Sequence, residues 1–484
     1  MSYIFPSAPL RDAILSSIPE GSSQFGMELF SPSFLYAPVR HSQAVDPNTM
    51  LVVGNRGAGK SLWWAALRSP NHRRVIARTL PKAGLPSNLE VRAGFGTGVP
   101  IKEAPSKDVL AKLLREFEPR EIWRAIVGWQ VLGETTLLPV ENWPLRVTWV
   151  RNHPEEFESA LDDADEKLLG ENRTQLVVFD ALDTAADTWT DLRRLLRGLL
   201  QVTLEFRARR RIRLKVFVRP DMLEDPEVAN FPDASKVLGS KALLSWTLVD
   251  LYGLLWQMLG NAPEGGKEFR EGTQTGFNQK WVKVEESWTV PNPLCVEEEL
   301  QRAVFHAISG PWMGPNPKRG FPYTWLPNHL ADSFGQASPR SFQVALREAA
   351  VHHPPSGWPY ALHHEGIRRG VQAASGVRVR ELTEDYPWVE PAMEALRNKV
   401  IIPCSPLDLH STWKSHDTLK EVARAATAST KLGPRRLEKG AEGLIQDLEE
   451  LGIFQRLPDG RLQMPDVYRV AFGLGRKGGI RPLR

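Results

Sequence analysis

Eight consecutive residues, Gly54-Asn55-Arg56-Gly57-Ala58-Gly59-Lys60-Ser61, carry the clearest chemistry in the chain. Glycines at their first, fourth and sixth positions let backbone N–H groups curl around an anion, and a helix opening behind them adds the positive end of its dipole. Lys60 would reach the β- and γ-phosphates of a nucleotide, and the Ser61 hydroxyl would ligate Mg²⁺. The run lies between an apolar stretch, Met50–Val53, and a helical one, Leu62–Leu67, which is the setting this chemistry requires. Residues Gly54 to Leu62 are therefore expected to hold ATP; no base-reading motif separates ATP from GTP.

A phosphate loop needs an acid at the tip of a buried strand, and Gln175-Leu-Val-Val-Phe-Asp180 supplies one about 120 residues on. Asp180 would hold Mg²⁺ through water, beside Ser61. No Glu follows it, which makes Asp183 the candidate to orient or deprotonate an attacking water. The plainer alternative has Asp183 capping a helix that begins at Thr184. The strand Arg213–Val218 ends in Arg219-Pro220-Asp221, where an Arg would face the same sheet edge as Asp180 and read the γ-phosphate. Pairing of Arg219 with Asp221 or Asp180 is the bland account of the same residues. Arg340, in Ser338-Pro339-Arg340, opens a helix from which it could lean over the nucleotide, although helix-start chemistry explains Ser338 and Pro339 equally well.

The elements that must position these groups show in the apolar pattern. From about 48 to 260, β-branched runs alternate with helical stretches: Met50–Val53, Arg74–Ala77, Leu145–Val150, Gln175–Phe179 and Arg213–Val218 read as strands. Such alternation predicts a mainly parallel sheet with helices on both faces. Residues 262–292 are polar and Gly-rich, then aromatic, and read as a loop or inserted hairpin at a boundary. Helical patterns follow at Val296–Ser309, Ser341–His352 and Leu362–Ala374. The last stretch reads helix (Trp413–Ala426), helix (Arg435–Leu451) and hairpin about Pro458-Asp459-Gly460. The expected organisation is thus a lead-in segment (1–47), an α/β nucleotide-binding domain (48–289), an all-helical lid (290–398) and a winged helix (399–484).

Composition bounds the rest. With 484 residues, 42% hydrophobic and 24% charged, the chain is an ordinary folded protein of about two to four domains. A net charge of +4 is too small to argue nucleic-acid binding in bulk, and two cysteines exclude a disulfide framework. There is no secretory pattern at Met1–Leu10, and the apolar run Ala242–Gly260 contains Asp250, so a cytoplasmic protein without a membrane span is expected.

Together, Gly54–Ser61, the Asp180-Ala-Leu-Asp183 spacing, Arg219-Pro220 and a helical lid before a winged helix resemble the STAND branch of P-loop ATPases and their AAA+ relatives. KAP-like ATPases of bacterial conflict and antiphage defence are similar. The resemblance implies an ATP-driven switch, slow in turnover, in which Asp183 serves as the further acidic position and Arg219 touches the γ-phosphate. It further implies self-association or an effector protein as partner, and an arginine finger acting in trans, with Arg193, Arg194 and Arg197 as equal candidates. The alternative is an initiator- or loader-like protein whose winged helix binds duplex DNA. There, Lys431, Arg435, Arg436 and Lys439 precede or open the second helix, but Glu442, Asp447, Glu449 and Glu450 close it.

Overall fold

The computed structural model describes residues 3–20, 30–133, 137–429, 431, 433–476 and 480. They form two compact units, one drawn from 23–30 and 37–245, the other from 1–22, 31–36 and 246–484.

The first unit is built on five strands, β1 (Leu51–Val53), β2 (Leu89–Phe95), β3 (Thr174–Phe179), β4 (Ile212–Val218) and β5 (Ala242–Leu243), in the order β2-β3-β4-β1-β5. All four pairings are parallel. Every residue of β1 and β3 is buried, because helices cover both faces, and this is why those strands read as unbroken apolar runs. The expected α/β class is what the chain forms. Two of the five expected strands are helical instead. Arg74–Ala77 falls within the helix Pro70–Thr79, whose start is capped by the Ser69 hydroxyl, and Leu145–Val150 within Trp143–Asn152, capped by the Asn142 side chain. A polar cap followed by Pro in the first turn outweighs a short β-branched run. Strand β2 does not read as an apolar run, because its edge position lets Glu90 and Arg92 pair with each other on the surface. Its Gly94 is forced by packing: a Cβ there would come within 2.2 Å of the Phe179 ring.

The second unit is mostly helical. Its centre is Leu248–Gly260, buried almost all round, where Tyr252 stacks on Tyr323 at 4.3 Å. The helix Ser7–Ser17 packs on that same core, so the first part of the lead-in segment belongs here, while 37–47 go with the sheet. The units divide at 245/246 and not at the expected 289/290. Between those positions, Gly266–Phe277 is a helix and Val282–Val284 with Ser287–Thr289 a hairpin. Gln257 stitches that hairpin to the central helix: its amide donates to the Trp288 carbonyl at 2.9 Å and accepts from the Val290 N–H at 3.0 Å. The helices Pro339–Val351 and His364–Asp385 follow.

The C-terminal part has its own core and the winged-helix order: helices Pro406–Ser415, Thr418–Ala428 and Gly440–Glu450, then an antiparallel wing, Gln455–Arg456 with Leu462–Gln463. The single helix expected over Trp413–Ala426 is two, broken where Asp417 takes a φ of +52°. No helix of the described residues is long and apolar enough to cross a membrane.

Candidate nucleotide site

Strands β2, β3 and β4 lie to one side of β1 and β5 to the other, so β1 stands where the strand order reverses. The crevice beyond the carboxyl ends of strands at such a point is where open α/β sheets bind ligands. The loop Gly54–Gly59 leaves β1 there, and the helix Lys60–Arg68 follows it.

Local geometry suits an anion. Gly57 and Gly59 have φ of +79° and +102°, left-handed values that glycine adopts without strain and that turn successive N–H groups inward. Gly54 is close-packed, since a Cβ would come within 3.0 Å of Leu244. The Lys60 ammonium folds back to donate to the Gly54 and Asn55 carbonyls at 2.8 and 3.1 Å. Burial pushes its pKa down to about 8, against the attraction of Asp180 and Asp183. An incoming polyanion would raise that pKa again by favouring the ammonium form.

Asp180, 3% exposed, follows the last residue of β3, with its N–H held by the Phe95 carbonyl. Burial raises its pKa, while a hydrogen bond from Ser61 and the nearby Lys60 oppose the rise. The helix carrying Ser61 is pinned beside β3 by Trp64, whose indole N–H donates to the Val178 carbonyl at 3.3 Å. Only the fold shows that Trp64 ties the helix carrying Ser61 to the strand that leads to Asp180.

Asp183 lies in a short turn, Leu182–Thr184, and caps no helix there; the helix Trp189–Glu205 is capped by Thr188. Arg219 is 7% exposed and bridges two carboxylates. Its Nε and Nη2 donate to Asp221 at 3.1 and 2.7 Å, and its Nη1 meets Asp183 at 3.4 Å. The plainer account of Arg219 therefore holds in part: Asp221 is its principal partner. The loop residues, Asp180, Asp183 and Arg219 all belong to the first unit. Arg340 belongs to the second, where its guanidinium pairs with Glu381. Of the three arginines of the helix Trp189–Glu205, Arg193 is 2.6 Å from Asp225, Arg197 donates to the Glu227 carbonyl, and Arg194 lies 3.7 Å from Asp191.

The donor set fits a hard cation. Ser61 and Asp180 offer a hydroxyl and a carboxylate already in contact, and among the described residues no group of three or more His, Cys, Asp or Glu could hold a metal unaided. Water and substrate phosphates would complete such a coordination shell, as is usual for Mg²⁺.

No protein-family model and no curated protein matches the chain. Among solved structures, it is similar to the Aeropyrum pernix ORC2 protein in its ADPNP–ADP complexes (13% identity, TM-score 0.29, covering 96% of this chain and 94% of that one). It is also similar to Cdc6p from Pyrobaculum aerophilum (11%, 0.29, 96% and 94%) and to the A. pernix ORC1 protein in complex with DNA (14%, 0.32, 94% and 93%). TM-scores near 0.3 carry no functional weight, and the reading below rests on the chemistry of the site.

Proposed function

We propose that the protein is an ATP-binding and ATP-hydrolysing regulatory P-loop ATPase that works as a nucleotide-driven assembly switch. The observation that carries this is the half-buried Lys60 at the mouth of a left-handed glycine loop, with Ser61 hydrogen-bonded to Asp180. The loop N–H groups and Lys60 bind and orient the β- and γ-phosphates; Ser61 and Asp180 hold Mg²⁺. When bound, Mg²⁺ supplies neutralisation of phosphate charge. Asp183 orients the attacking water and accepts its proton, and Arg219 contacts the terminal phosphate. Arg340 reads the nucleotide from the lid, in exchange for Glu381.

The switch is favoured over duplex DNA binding by the winged helix itself. Its cations are matched with its own acids: Arg436 pairs with Asp447 and Glu450, and Arg456 with Glu442 and Glu449. The cationic tail 477–484 of the sequence lies, apart from Ile480, outside the described residues. Inside the second unit, Ser375 donates to the Val467 carbonyl at 2.7 Å and accepts from the Ala471 N–H, fastening the helix after the wing to the lid. A packed module of this kind suits a protein partner, a second copy or an effector. A signalling or defence setting rests on the sequence resemblance alone.

The test is steady-state ATP hydrolysis with and without duplex DNA, with Lys60→Ala as blank and EDTA as a metal-free control. The switch predicts slow, Mg²⁺-dependent turnover indifferent to DNA, lost in both controls. A several-fold rise with DNA would move the assignment to a DNA-handling ATPase.

A further inference from the structure

Arg219 holds two carboxylates unequally, and the inequality points to a role for Asp221. A guanidinium is planar and has distinct donor edges. The Nε/Nη2 edge forks onto Asp221 at 3.1 and 2.7 Å, whereas Nη1 reaches Asp183 at the longer 3.4 Å. Of the two carboxylate contacts, the shorter, two-point one is the harder for a buried Arg to give up, and the longer, single one is open to exchange. The fork is also preset by the chain: Arg219 is the residue before the helix Pro220–Leu223, and Asp221 lies in its first turn. Asp183, about one-third exposed, has water to meet when it lets go.

Building on the nucleotide reading above, we propose that Asp221 is the positioning residue of a partner exchange: it anchors Arg219 by one edge while the other trades Asp183 for the terminal phosphate of the bound triphosphate. A phosphate oxygen carries more charge than the carboxylate it displaces and makes the stronger charge-assisted hydrogen bond. The exchange frees the Asp183 carboxylate at the moment a γ-phosphate arrives. A diphosphate does not reach Arg219, so Asp183 stays tied.

The ratio of ATP to ADP affinity, measured by calorimetry on the full chain with Mg²⁺, tests this because a merely structural ion pair would not move it selectively. Asp221→Asn should lower the ratio about tenfold, toward that of Arg219→Ala, and Asp221→Glu should recover part of the loss. Asp183→Asn should act in the opposite direction, raising the ratio a few-fold while hydrolysis falls, since Arg219 no longer has to leave a carboxylate. An Asp221→Asn protein with the wild-type ratio overturns the anchor. Should that variant not fold, an Asp183→Asn ratio equal to or below wild type overturns the exchange. Wild-type protein that binds neither nucleotide overturns the nucleotide reading itself, and is told apart from the other results by that fact.

Discussion

The candidate nucleotide site and the winged helix are both held by Arg or Lys against carboxylates, yet the two sets of charges do different things. In the first, Asp180 and Arg219 are out of water and Lys60 is half-buried, and burial shifts the Lys60 and Asp180 equilibria. In the second, Arg424, Arg456 and Arg461 keep 72%, 37% and 53% of their side chains exposed while touching acids on the same surface. Charges removed from water are poised to respond to a ligand; charges paired in water cancel, and leave little for a polyanion to grip.

The contrast can be broken most forcefully at Lys60. Lys60→Ala should weaken ATP binding by about a hundredfold or more, about 3 kcal/mol, and bring hydrolysis to the blank, as read by calorimetry and phosphate release. Titration gives the next effect. Lys215, wholly buried in β4 and bonded to the Asp46 and Thr49 carbonyls, is pushed by burial from 10.5 down to about 7. Between pH 7 and 10.5 the unfolded chain binds the proton that the folded one has lost, so stability rises with pH across that window. Urea unfolding midpoints should climb from pH 7 to 9 and climb less in Lys215→Met, where Lys60 supplies the remaining slope from about 8 upward. Gly59→Ala comes third: open space surrounds its missing Cβ, so the cost is backbone strain of about 1–2 kcal/mol, visible in the same midpoints and in weaker ATP binding. The smallest effect belongs to the winged helix. Changing Arg435 and Arg461 to Ala should cost about 1 kcal/mol at most and leave the salt dependence of any duplex binding unaltered, whereas two true phosphate contacts would each lower that slope by about 1. A large fall in DNA affinity would erase the distinction between the two regions.

The residues of the candidate site stand out in the sequence more plainly than the elements that carry them. Gly54–Ser61 and Asp180 are legible because a phosphate loop needs particular residues at fixed spacing next to a strand, and burial on both faces writes β1, β3 and β4 as apolar runs. Strand β2 was hidden because an edge strand mixes polar residues with apolar ones. The helices over Arg74–Ala77 and Leu145–Val150 turn on their caps, Ser69 and Asn142, which a reading of β-branched content passes over. Long-range pairings left no local mark: nothing adjacent to Gln257 announces Trp288, and the fork of Arg219 onto Asp221 depends on the strand running directly into a one-turn helix.

The chain order of the two units has a consequence for synthesis. Residues 37–245 are an insertion: the unit they interrupt uses 31–36 on one side and everything from Trp246 on the other, with Tyr36 and Trp246 meeting ring to ring at 6.5 Å. A ribosome therefore delivers the whole sheet domain before the helix Ser7–Ser17 has anything to pack against. That helix must wait, with Leu10, Ala13 and Ile14 uncovered, for its partners from the far side of the insertion. Nascent chains stopped shortly after residue 260 should already protect the phosphate loop from protease while Ser7–Ser17 is still cut.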